Sequence, residues 1–296
     1  MNPLDRLVTL ADRVPAGLGA VADPIGPGVA RIGGRSVAML GANDYLGLSF
    51  DPEVVAAARG VGSAGTTGSR VANGTTSAHR ALESAFAVAF GRSHAVAFTT
   101  GYQANLGVIS GLVGPGDAVV LDAEAHASLF DGARLSGADL FVVRHNDPAD
   151  LDRRLARLDG RPTVVAVEGL YSIGGDTAPL PDFAAVCRGR AALLVDEAHA
   201  FGAYGLRGLG VAEELGVAPD VITGTFSKAL GGVGGFAVSD HPGLAGLRVA
   251  ARSYVFTAAG TPSSIAAAHA ARASATDPVR GSALRDALWA RVARRR

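Results

Sequence analysis

From about residue 78 onward, short apolar runs alternate with longer amphipathic stretches, and this rhythm limits the fold more than any other feature of the chain. Residues 95–99, 118–122, 140–144, 163–168, 192–196, 221–224 and 235–238 read as strands. Residues 78–90, 102–112, 148–158 and 180–188 read as helices between them. Strands that alternate with helices pair side by side in one direction, so the expected fold is α/β, a mostly parallel sheet flanked by helices. Ligands of such sheets bind at the carboxyl ends of the strands. Asp122, Glu168 and Asp196 each close an apolar run, which makes their positions candidates for a site. Residues 1–40, punctuated by Pro15, Gly17, Pro24, Gly26, Pro27 and Gly28, read as an irregular arm. From Thr261 the chain reads as helical, ending in a solvated Arg294-Arg295-Arg296. No internal repeat is visible.

Composition narrows the partners. With 296 residues and 48% hydrophobic content the chain can bury a large core, and a formal net charge of zero supplies no basic field for nucleic acid or an anionic membrane. A small-molecule substrate is the expected partner. The single cysteine, Cys187, sits among apolar residues, reads as a core filler and suits a reducing cytoplasm. Residues 1–10 carry Asp5 beside Arg6 and lack the apolar centre of a signal peptide, and no apolar run is long enough to span a bilayer. Seven histidines with one cysteine, and neither HExxH nor CxxC spacing, give no zinc motif.

Lysine and arginine together number 27, yet Lys228 is the only lysine. Arginine stays charged at any workable pH, whereas a desolvated lysine can lose its proton and attack a carbonyl to form a Schiff base. Lys228 lies in Thr225-Phe226-Ser227-Lys228, where hydroxyls stand beside the amine, a combination that suits a phosphorylated aldehyde cofactor. A second segment, Leu193-Leu194-Val195-Asp196-Glu197-Ala198-His199, delivers a carboxylate at a strand end and an imidazole three residues later. Asp196 there can keep a pyridine nitrogen protonated; His199 can bond a phenolic oxygen or orient Asp196. Alone, Asp196 equally reads as a cap of the next segment and His199 as a half-buried side chain. Third, Phe98-Thr99-Thr100-Gly101-Tyr102 is a strand, a glycine turn and a helix start, the arrangement that offers free amides of Gly101 and Tyr102 to a phosphate. It is common in α/β proteins and counts only jointly with the others. Fourth, His126 follows the strand ending at Asp122 and can stack on a planar ring. A histidine in that place is equally an ordinary loop residue.

In this order the segments resemble the α-oxoamine synthases, pyridoxal-phosphate enzymes that condense an amino acid with an acyl-CoA and release carbon dioxide. The likeness runs from Asn43-Asp44-Tyr45-Leu46-Gly47 through Gly68-Ser69-Arg70, His126-Ala127-Ser128, His145-Asn146, Glu168-Gly169-Leu170-Tyr171-Ser172 and Asp196-Glu197-Ala198-His199 to the lysine segment. Gly224-Thr225-Phe226-Ser227-Lys228 and Tyr254-Val255-Phe256-Thr257 are most similar to its bacterial serine palmitoyltransferase branch. The resemblance implies the large domain of the fold-type I PLP-dependent transferases over 41–260, after an arm at 1–40 and before a helical segment, 261–296, that opens a small domain otherwise absent. It implies pyridoxal 5'-phosphate as cofactor. Lys228 would hold it and serve as acid and base, Asp196 would face the ring nitrogen, His199 and Ser172 the phenolic oxygen. His126 would stack on the ring and act in catalysis with Lys228, Ala198 would pack on the opposite face, and Gly101, Tyr102 and Thr225 would bind the phosphate.

The implied substrates are a small amino acid, serine foremost, and an acyl-CoA or acyl-carrier protein, in a cytoplasmic homodimer with Thr257 directed at the neighbour's site. The alternatives are activities of the 8-amino-7-oxononanoate synthase or 2-amino-3-ketobutyrate CoA ligase type, or a noncatalytic partner subunit. The chain departs from the family in three places. No residue matches the carboxylate-binding arginine of the small domain, Ala258-Ala259-Gly260-Thr261-Pro262 replaces a Leu-Pro-Pro-like turn, and the stretch between Pro52 and Gly65 is short.

Overall fold

The computed structural model describes residues 5, 7, 13–15, 18–158 and 160–294. Most of the segment read as lacking a signal peptide, and Arg295 and Arg296, lie outside the described residues. The chain divides into two units, residues 1–42 and 43–296.

In the first unit the strands β1 (Asp23–Gly26), β2 (Val29–Ile32) and β3 (Arg35–Ala38) form an antiparallel sheet in that order. Here the expectation of an irregular arm is corrected. Ile32 pairs with Arg35 across Gly33 and Gly34, whose φ angles of 55° and 79° make the two-residue turn that right-twisted hairpins favour. Of the residues read as punctuation, Pro27 and Gly28, the latter at φ 68°, form the other turn, between β1 and β2.

The second unit holds a seven-stranded sheet: β4 (His94–Phe98), β5 (Ala118–Asp122), β6 (Asp139–Val143), β7 (Thr163–Glu168), β8 (Ala192–Asp196), β9 (Val221–Thr225) and β10 (Gly235–Ser239). Their order is β4-β10-β9-β8-β7-β5-β6, and only β10 runs against its neighbours. The longer helices are α1 (Pro52–Arg59), α2 (Ser77–Phe90), α3 (Gly101–Leu112), α4 (Ala127–Ser136), α5 (Pro148–Ala156), α6 (Leu180–Cys187), α7 (Pro262–Thr276) and α8 (Arg280–Ala293). None among the described residues is long and apolar enough to cross a membrane.

Successive strand residues point to opposite faces, and both faces are buried. Val119, Leu121, Val164, Ala166 and Leu194 pack with Val108, Ile109 and Leu129 of α3 and α4. Val120, Val165, Val167, Leu193 and Val195 pack with Leu151, Leu155 and Phe183 of α5 and α6, and buried Cys187 lies in this layer as a core filler. Burial pushes its thiol up to about 12.

Sequence pattern alone did not show α4. Its glycine, Gly132, sits where α4 crosses α3, and a Cβ there would come within 3.1 Å of the Asn105 carbonyl oxygen and 3.2 Å of Ile109 Cβ. Helix α1 fills part of the short 52–65 stretch, capped by Asp51, whose Oδ1 accepts from the amides of Glu53 and Val54.

A third cluster fixes the lysine segment. Phe226 is fully buried, its ring 5.2 Å from that of Phe86 and 6.1 Å from that of Phe236. Burying such a ring contributes roughly 2–3 kcal/mol. It anchors the residue two before Lys228. Gly234 closes over it with φ 149°, where a Cβ would fall 2.2 Å from the Phe226 ring.

Candidate active site

The carboxyl ends of β7, β8 and β9 and the start of α3 enclose a cavity of about 270 Å³, lined by Thr100, Gly101, Tyr102, Asn105, His126, Ser128, Glu168, Asp196, Ala198, His199, Thr225, Ser227 and Lys228. Of the nine residues expected to hold the cofactor or act on it, eight meet there; of the other strand-end acids, Glu168 lines the cavity and Asp122 does not. Ser172 does not line it; its backbone amide faces the Glu168 carboxyl instead.

Parallel register builds the floor. Glu168 pairs with Asp196, and Asp196 with Thr223, so the three side chains form a row on the sheet face covered by α3 and α4. Asn105 of α3 lies over this row. Its Nδ2 donates to Asp196 Oδ2 at 2.6 Å and to Ser128 Oγ at 2.9 Å, while its Oδ1 accepts from Thr223 Oγ1 at 2.7 Å. Asp196 Oδ1 takes a further bond from the Ala198 amide. The carboxylate is thus held on both oxygens, one of them also capping the turn that follows. Asn105 orients Asp196; His199 does not.

His199 Nδ1 instead meets the Tyr45 hydroxyl at 2.7 Å. Burial, reinforced by the nearby Lys228 charge, pushes this imidazole down to about 4, so it is neutral at physiological pH and can donate or accept. His126 is exposed at the cavity mouth. Its Nδ1 accepts from the Ser128 amide at 3.2 Å and lies 2.8 Å from Ser128 Oγ, which leaves the ring proton of the neutral form on Nε2.

Lys228 is half-buried, and loss of solvent lowers its pKa against the opposing pull of Asp196 and Glu168. Its amine is therefore easier to deprotonate than a surface lysine's.

At the other wall α3 begins. Thr100 caps it, Oγ1 accepting from the Gln103 amide at 3.1 Å, and the first turn leaves the Gly101 and Tyr102 amides as open donors. A Cβ on Gly101 would lie 2.7 Å from Thr225 Cβ, so glycine is what lets this helix end approach the hydroxyls of Thr225 and Ser227. The Tyr102 hydroxyl is engaged by Asp131, which leaves its amide as its contribution to the cavity. Thr225 Oγ1 donates to the Gly234 carbonyl at 3.0 Å and accepts from the Ser227 amide; the Ser227 hydroxyl, 2.7 Å from it, is the one free to turn toward a ligand.

Sequence reasoning gave no site role to Asn105, Ser128 or Tyr45, while the Ser227 hydroxyl, noted beside the amine, lines the cavity. Asn105, Ser128 and Tyr45 carry no local sign that they meet partners 23 to 154 residues away.

The profile of the aminotransferase class I and II family matches residues 35–294. The chain belongs to this family. Among its members, a serine palmitoyltransferase of Caulobacter vibrioides is 52% identical over 242 residues, covering 78% of this chain and 59% of that protein. An 8-amino-7-oxononanoate synthase of Anaeromyxobacter sp. is 43% identical over 286 residues, covering 93% of this chain and 72% of that one. A solved serine palmitoyltransferase from S. paucimobilis, with a bound PLP–myriocin adduct, superposes with TM-score 0.90 at 40% identity, over 97% of this chain and 73% of that one. The expected likeness to α-oxoamine synthases and the expected fold class both stand. The chain spans about 59% of the length of the first curated serine palmitoyltransferases it matches.

Proposed function

We propose that this chain binds pyridoxal 5'-phosphate and serves the decarboxylating condensation of a small amino acid, serine, with an acyl-CoA to give an α-aminoketone, carbon dioxide and free CoA. The observation that carries the reading is the convergence of the single lysine, a doubly bonded carboxylate and two imidazoles on one cavity.

The residues fit the cofactor. The close approach of Gly101 to Thr225 leaves a cradle of open amides for a phosphate, and the fixed Asp196 suits a protonated pyridine. The Gly101 and Tyr102 amides, with Ser227 and Thr225, would hold the phosphate. Asp196 would hold the ring nitrogen, His199 the phenolic oxygen, and His126 and Ala198 the two ring faces. Bound there, pyridoxal phosphate supplies a carbonyl for amines and an electron-withdrawing ring. For its part, the protein supplies a lysine amine that is unprotonated more readily than usual and can take or return a proton at a substrate carbon. Asn105 keeps Asp196 from turning away, and Tyr45 does the same for His199.

The same reading takes 1–40 as an arm, 41–260 as the cofactor-binding domain and 261–296 as the opening of a smaller domain, in a cytoplasmic homodimer. An 8-amino-7-oxononanoate synthase type of activity is the second reading, favoured by the 43% identity that extends over 93% of this chain. Reduction with borohydride in the presence of pyridoxal phosphate, followed by peptide mapping, tests the cofactor: label at Lys228 supports it, and label only at the N-terminal amine refutes it. Free thiol released from palmitoyl-CoA with serine, but not with alanine, supports the first reading over the second. No thiol from palmitoyl-CoA with either amino acid, in a chain that holds the cofactor, rejects the first reading.

A further inference from the structure

Glu168 is 2% exposed, lines the cavity, and has one carboxyl oxygen, Oε1, that is buried without a hydrogen-bond partner. It stands beside Asp196 as its register partner on the adjacent strand. Two carboxylates so placed repel each other, and the pair is most stable with one negative charge. Which of them carries it follows from the oxygens: both of Asp196 are bonded, whereas Oε1 of Glu168 is bare. Asp196 receives the Asn105 amide and the Ala198 N–H, while Asn105, occupied by Asp196, Ser128 and Thr223, has nothing left for Glu168. The groups facing Glu168 are Asp196 on β8, Lys228 after β9, Tyr171 in the loop after β7, and the backbone amides of His126 and Ser172. Burial, then the charge of Asp196, pushes its carboxyl up to about 8, against the pull of the amides and of Lys228.

We propose that Glu168 is a positioning residue that tunes Lys228: it stands in the cavity as a neutral acid, leaves Asp196 as the sole anion there, and so keeps the Lys228 amine free to attack a carbonyl. An ionised Glu168 would strengthen the hold on the lysine's proton; a neutral one does not. This rests on the reading of Lys228 as the cofactor's attachment point.

The chain has seven glutamates, so full-length protein labelled with [δ-13C]glutamate gives few carboxyl resonances, and Glu168→Gln identifies one of them. In cofactor-free protein that signal is expected to titrate with a midpoint near 8; a midpoint at the ordinary carboxylate value overturns the proposal. A second readout is the rate of cyanoborohydride trapping of pyridoxal phosphate on Lys228. Wild type and Glu168→Gln are expected to trap at rates within about twofold at pH 7, and at pH 9, where Glu168 has ionised, wild type is expected to be about three- to tenfold slower than the variant, a shift of up to one unit in the lysine. A ratio near one at both pH values, or the full difference already at pH 7, overturns it. Failure of Lys228 to trap at all refutes the cofactor reading, and the carboxyl titration still decides whether Glu168 is neutral.

Discussion

The two ends of the same strands hold very different hollows. At the amino ends of β8 and β9 lies a groove of about 550 Å³, lined by Ala184, Cys187, Leu193 and Asp220 among others. It is twice the size of the cavity at the carboxyl ends, yet its acid and its thiol are settled: Asp220 accepts the Leu193 amide at 2.7 Å, and Cys187 is a protonated thiol. The smaller cavity holds a lysine, a glutamate and a histidine whose proton affinities have all been displaced from their ordinary values. Volume is thus a poor guide to chemistry in this molecule, and charge held in a half-dry place is a good one.

Substitutions at the two ends test that contrast. Lys228→Ala is expected to abolish borohydride trapping beyond the N-terminal amine and to reduce turnover by on the order of 10³ or more, since no other side-chain amine exists. Trapping that persists elsewhere in the variant would mean the cavity is not where the cofactor attaches. Gly101→Ala, which drives a methyl against Thr225, is expected to weaken pyridoxal phosphate binding by about 10²-fold in a fluorescence titration while the fold survives. Asn105→Ala strips donors from Asp196 and Ser128 and an acceptor from Thr223. It is expected to cost about 1.5–3 kcal/mol in urea unfolding at pH 7, with cofactor affinity falling alongside.

The pH dependence of stability sharpens the contrast further. Glu168 and Glu197 titrate in the folded chain near about 8 and about 7, each raised chiefly by burial above the ordinary 4.5. Between 4.5 and those values the folded chain binds protons that the unfolded chain has lost, so stability is fullest below 4.5 and declines as pH rises through 8. The expected slope is on the order of 1 kcal/mol per pH unit for each group within its window, and Glu168→Gln is expected to flatten it. A denaturation series from pH 5 to 9 that shows no such decline would contradict both shifts. At the opposite strand ends, Cys187→Ala is expected to cost only about 1 kcal/mol and leave cofactor binding unchanged. A tenfold change in affinity there would erase the distinction between the two ends.

The legibility of the chain follows the same physics. The strands 118–122, 163–168 and 192–196 match β5, β7 and β8 to the residue, because strands buried on both faces read as unbroken apolar runs. At the two outer positions of the sheet, β4 and β6 lie one residue earlier than the pattern suggests, where fewer neighbours define the register. Lys228, Asp196, His126 and His199 were visible because their chemistry is announced by residue type at strand ends. Asn105 was not, since its partners stand 23, 91 and 118 residues away, and an asparagine inside a helix gives no local hint of them. Glu168 was seen as a strand-end acid, but its bare oxygen is a property of the folded neighbourhood alone.

The reversed direction of β10 has one last effect. Because it doubles back beside β9, the nine residues from Phe226 to Gly234 form an arch whose feet are tied by the bond from the Phe226 amide to the Gly234 carbonyl. The Lys228 nitrogen rides on a span of fixed length rather than on a hanging loop. Lengthening or shortening that span by a single residue would swing the amine out of reach without altering any group that tunes it, which would separate the demands of placement from those of acidity.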